Sequence, residues 1–157
     1  MWALWLRRKP ATATVFYLLI AHALVLIVGG IYTYSLVPVG ATVQEWMVRP
    51  RNDYDRLGHF MQGAVPAIIA REILLRRSPL RRGGWLFFLV VCVCATLSVT
   101  YEFIEWWSAV IGGSAADAFL GTQGDPWDTQ WDMFLAVVGS ITAQLTIARL
   151  HDRQLAT

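Results

Sequence analysis

Charge is what this sequence has least of. Only 15% of its 157 residues are Asp, Glu, Lys or Arg, against 56% hydrophobic, where a soluble domain carries about a quarter charged residues. That excludes a water-soluble globule and leaves an integral membrane protein, of a length that allows one domain. Cysteine is scarce too. Cys92 and Cys94 sit two apart in an apolar run, on different faces of a helix, and lack the spacing of a zinc or redox pair; they read as membrane-core thiols. There is no Ser-His-Asp order, no phosphate-cradling glycine loop and no basic aromatic surface. Triad hydrolysis, nucleotide binding and nucleic-acid binding therefore have no footing. No leader with a cleavage site is expected here, since residues 1–9 read as a short basic, Trp-containing flank before the first apolar run.

What is present is a set of long apolar runs. They predict an all-α, polytopic membrane helix bundle, a single integral-membrane domain with four transmembrane helices over about 13–31, 54–75, 85–110 and 127–150. The first is interrupted only by His22, expected to hydrogen-bond a neighbouring helix, and by Gly29-Gly30. The 32–52 connection holds a short interfacial helix at 43–48. The second span is capped by Asn52 or Asp53, is kinked by Pro66, and ends in the interfacial charge pair Arg71-Glu72. The turn RRSPLRR follows, with four arginines in seven residues. The third span ends among Trp106 and Trp107, as an aromatic belt would. Both chain flanks and the 76–82 turn are basic while the 111–128 loop has no basic residue, so both termini are expected in the cytoplasm.

The most informative stretch is GTQGDPWDTQWDM, 121–133. Asp125-Pro126-x-Asp128 has the form of a helix start, with Asp125 as N-cap, Pro126 at the first position and Asp128 at N3. Asp132 then continues into Ala136, Gly139, Ser140 and Ala143, small residues of the kind that packed membrane interfaces select. Asp132 must face protein. On the second span the polar and small stripe is Asp55, His59, Gln62, Gly63, Pro66 and Ala70; on the third it is Ala95, Ser98, Glu102, Glu105 and Ala109.

Three helices thus aim two ionisable groups each at one region near the outer leaflet: Asp55 with His59, Glu102 with Glu105, Asp128 with Asp132. Five carboxylates and an imidazole in a partly dry site cannot all stay charged without a cation or shared protons. Arg56 is the nearby basic residue and, pointing about 100° away from Asp55, could neutralise one group at most. Carboxylates with one histidine suit a divalent cation such as Zn²⁺, Mn²⁺, Fe²⁺ or Mg²⁺. His59, Glu102, Glu105, Asp128, Asp132 and Asp55 are the candidate metal ligands, with Glu102, Glu105 and Asp132 the candidate catalytic groups. Taken singly each has a plainer role: Asp125 and Asp128 as caps, Asp55 as a solvated first-turn residue, Glu105 as a group reaching interfacial water. His59, Glu102 and Asp132 are the deepest, on three different helices, and are expected to converge.

YDRLGHFMQGAVPAIIAREILLR, YEFIEWW and ADAFLGTQGDPWDTQWDMFLAVVG resemble the uncharacterised bacterial inner-membrane family of the YjdF type, over nearly the whole chain from Tyr32. Members of that type are longer at the N-terminus by one or two helices. More remotely, Asp55-Arg56-x-x-His59-Phe60, Glu102 with Glu105, and Asp128 with Asp132 and Gly139 are similar to the VanZ-like pattern. Arg56 replaces its usual lysine, and a valine stands where its asparagine precedes the glycine. The resemblance implies a multi-pass inner-membrane protein of the cell envelope and supplies no reaction. Two functions follow from the residues. One is metal-assisted acid–base or hydrolytic chemistry on an envelope or lipid-linked small-molecule substrate at the bilayer surface. The other is non-enzymatic: ion or proton-coupled transport, or a structural polar knot.

Overall fold

The computed structural model of the protein describes residues 10–112 and 123–156, all of whose regular structure is helical. Six helices follow in order: α1 (Ala13–Ile31), α2 (Pro38–Trp46), α3 (Tyr54–Arg77), α4 (Gly84–Gly112), α5 (Asp128–Thr146) and α6 (Ala148–Leu155). By length and composition α1 and α4 can each cross a membrane, and α5 with α6 passes the same test as one span bent by 58°. α3 does not pass it, and the reason lies in packing. It is the central helix, touching α1, α4, α5 and α6, and its charged residues Asp55, Arg71 and Glu72 are buried inside the bundle. A helix sheathed by other helices has no need of an apolar surface; burying its charges demands partners instead.

The bounds of α1 agree with the expected 13–31, α3 and α4 extend slightly beyond theirs, and α2 starts earlier than the 43–48 segment, at Pro38. Of the expected spans, one start and one ending differ. α5 begins at Asp128 with Trp127 as its cap, so Asp128 opens the helix instead of lying at its third position. Asp125 still serves the approach: its Oδ1 accepts from Trp127 N at 2.9 Å, and that bond holds its carboxyl below the usual carboxylate range. α3 has Asp53 at its cap with no side-chain bond, while Asn52 Oδ1 accepts from Tyr54 N at 3.1 Å. The expected 127–150 span breaks at Ile147. Pro66 lies inside the uninterrupted α3.

The packing rests on glycine. A side chain on Gly63 of α3 would run into the backbone of Ala136 on α5, and one on Gly139 of α5 would run into the backbone of Phe60 and Ala64 on α3. The two helices therefore lie backbone to backbone, as small residues permit in membrane bundles. α4 closes the third side, where the Cys94 thiol donates to the Gly63 carbonyl at 3.5 Å. Its buried stripe is Leu86, Val90, Cys94, Ser98 and Glu102. Ala95 and Glu105, expected on that face, are only half-buried. His22 on α1 was expected to bond a neighbouring helix, yet its Nε2 is buried with no hydrogen-bond partner among the described residues.

Candidate functional site

The α3–α5 contact sets the site. One turn before Gly63 is His59, and one turn before Ala136 is Asp132, so the backbone contact carries the two side chains up side by side. His59 Nε2 lies 3.7 Å from Asp132 Oδ2. One further turn back along α3, Asp55 Oδ1 is 3.6 Å from the same nitrogen. From α4, two turns beyond Cys94, Glu102 Oε1 approaches the other ring nitrogen, Nδ1, at 3.7 Å. His59, Asp55, Glu102 and Asp132 are all buried. The expected convergence of His59, Glu102 and Asp132 is therefore present, and Asp55 joins it.

Among the described residues, two groups of side chains could hold a metal ion: Asp55, His59 and Asp132, and His59, Glu102 and Glu105, each with ligand atoms within 4.8 Å of one another. Two donors at about 2.1 Å from one ion with tetrahedral angles stand about 3.4 Å apart, close to the separations at Nε2. Direct hydrogen bonds are shorter, about 2.7–3.2 Å, and these groups do not make them. His59 Nδ1, Glu102 Oε1 and Asp132 Oδ1 are buried without a hydrogen-bond partner, as is Ser98 Oγ one turn before Glu102. Buried polar atoms are nearly always paired, so such a gathering calls for a cation, a water or shared protons. The Tyr101 ring stands edge-on to His59, centroids 5.9 Å apart, and forms the outer wall.

Asp128 stands apart from both groups. It pairs with Arg51, a buried residue in the segment before α3. Arg51 also reaches Asp125 at 3.3 Å. Arg56 bonds Asp53 at 3.1 Å and Asp125 at 2.9 Å, with its guanidinium 5.4 Å from the Trp131 ring centroid. Arg56 was the basic residue expected near the cluster; it serves the outer carboxylates, and Arg51 is the one that sequence reasoning missed. Asn52 completes this cover. Its backbone N–H donates to Gln123 Oε1 and its carbonyl accepts from Gln123 Nε2, each at 3.0 Å. Guanidiniums neutralise Asp53, Asp125 and Asp128, and leave Asp55, Glu102, Glu105 and Asp132 around one imidazole.

A second ionisable cluster sits at the other end of the bundle. Arg71 and Glu72, expected as an interfacial pair, are buried and bind other partners. Glu72 accepts from Thr12 Oγ1 at 2.8 Å and pairs with His151 at 3.0 Å and Arg76 at 3.0 Å. Arg71 pairs with Asp152 at 2.7 Å. The same residue types meet at both ends of α3, but the Glu72 carboxylate is hydrogen-bonded, whereas Glu102 Oε1 and Asp132 Oδ1 have no partner.

An all-helical membrane protein with a buried histidine–carboxylate cluster is thus the class that fold and site define. The chain matches the family described as "Predicted membrane protein (DUF2238)" over residues 1–153 and belongs to it. It is 54% identical over 149 residues to "Inner membrane protein YjdF" of Escherichia coli (strain K12), covering 95% of this chain and 71% of that protein. The expected YjdF-type family and inner-membrane location are borne out. No solved structure matches.

Proposed function

We propose that the His59 cluster binds a divalent cation and that the protein uses it on an envelope or lipid-headgroup substrate at the outer face of the inner membrane. Asp55, His59 through Nε2, and Asp132 are the ligands. Glu102 faces Nδ1 from the far side of the ring, where a carboxylate orients a ligating histidine. Glu105, half-buried beside it, is placed to exchange a proton with substrate or solvent. A cation held this way would polarise a carbonyl or phosphoryl oxygen or activate water. The observation that carries this reading is the set of unpartnered buried atoms on His59, Glu102 and Asp132, three residues from three helices, which contrasts with the hydrogen-bonded carboxylate of Glu72.

The chain is read as crossing the membrane four times with both termini cytoplasmic, α3 being the sheathed span. Supporting this, the start of α1 (Thr12) and α6 (His151) both touch Glu72, near the basic 76–82 turn. A continuous transport path is less well supported. The apolar cluster that includes Ile68, Leu86, Val90 and Ala143 lies between the two polar ends.

Mass spectrometry of envelope lipids and lipid-linked intermediates tests the reading in cells lacking the protein. Complementation with wild type should restore the profile, and His59→Ala at equal abundance should not. Full restoration by His59→Ala would remove the site from the function.

A further inference from the structure

His151 is fully buried at the end of the bundle opposite His59. Its Nδ1 is 3.1 Å from Arg71 Nη1. A guanidinium only donates, so Nδ1 accepts and the ring proton sits on Nε2. That nitrogen donates to Glu72 Oε2 at 3.0 Å. The neutral ring thereby joins α6 to α3 through both nitrogens. Glu72 extends the tie to α1, accepting from the Thr12 hydroxyl at 2.8 Å and the Thr12 N–H at 3.3 Å. Gln154 of α6 adds a bond from Thr14 N at 3.0 Å.

We propose that His151 is an acid-released latch, fastening α6 and the start of α1 to α3 while neutral and letting them go when it takes a second proton. The charged groups facing it are Arg71, Glu72 and Arg76 of α3, Asp152 of α6 and, through Asp152 at 3.0 Å, Arg82 of the turn. The residues meeting the network from the α1 side, Thr12 and Thr14, are uncharged; Arg7, Arg8 and Lys9 lie outside the described residues. Among the described residues facing it, three guanidiniums already outnumber two carboxylates. A proton added at Nδ1 would set N–H against N–H, remove the acceptor that Arg71 uses, and add positive charge to a positive cluster. Ile147, where the chain bends by 58°, is the pivot on which α6 would swing away. This latch is separate from the His59 cluster and does not depend on the cation.

Hydrogen exchange of the full chain in detergent, at pH 7.5 and 5.0 and corrected for intrinsic rates, tests it. Protection over 148–155 and 12–16 should fall about tenfold or more at the lower pH, while 86–98 of α4 stays protected. His151→Gln should remove this difference, and His59→Asn should keep it. Equal wild-type protection at the two pH values overturns the latch even if His151→Gln does not fold. A full acid response in folded His151→Gln overturns it as well.

Discussion

Gly63 of α3 and Ala136 of α5 meet backbone against backbone, and that contact is what brings His59 beside Asp132 one turn away. Gly63→Val should therefore damage fold and site together. An added side chain meets main-chain atoms that cannot rotate aside, a strain of about 1–3 kcal/mol or more. Gly30→Ala is the control, since a methyl there has nothing within 4 Å. Thermal unfolding in detergent should show a clear loss for Gly63→Val and little change for Gly30→Ala.

Arg51 is buried against Asp128, whereas Arg49 pairs with Asp53 with its side chain 43% exposed. Removing Arg51 leaves the buried Asp128 carboxylate without its guanidinium, a loss of about 3–5 kcal/mol. Removing Arg49 breaks a surface pair worth about 1 kcal/mol or less. Denaturant titration of Arg51→Ala and Arg49→Ala should reproduce that order, and equal effects would count against the ion-pair cover.

Glu102→Gln should inactivate or destabilise the protein more than Asp117→Asn. Glu102 faces His59 from a buried position; Asp117, expected in a solvated loop, lies outside the described residues. Lipid profiling and thermal unfolding of both variants give the comparison, and equal tolerance would contradict a demanding role for Glu102.

Labelling of single cysteines in a cysteine-free background addresses topology. A cysteine at Ser78 should react only after the membrane is opened, and one at Thr122, outside the described residues, should react from outside. Outside labelling at position 78 would invert the orientation and move the His59 cluster to the cytoplasmic face.

The site residues were legible because helical spacing alone puts Asp55 with His59, and Asp132 with Ala136 and Gly139, on single faces. Their convergence followed from small residues on facing stripes. Arg51 was not legible: it lies outside the helix, 77 positions from Asp128, and only the path of the preceding segment turns it inward. The Glu72 cluster was hidden likewise, its partners Thr12 and His151 standing 60 and 79 positions away. The start of α5 was misplaced because Asp125 caps a turn through Trp127 before the helix begins.

Metal content of the purified protein tests the central claim most directly. Wild type, His59→Ala and Asp132→Asn, with His151→Gln as a control away from the site, should be analysed for transition metals and magnesium before and after chelation and reloading. Wild type and His151→Gln should each hold close to one divalent ion per chain, lost to chelator and regained on reloading. His59→Ala and Asp132→Asn should hold far less. A wild-type protein that remains metal-free after reloading, or binding unaffected by both site substitutions, would contradict the account.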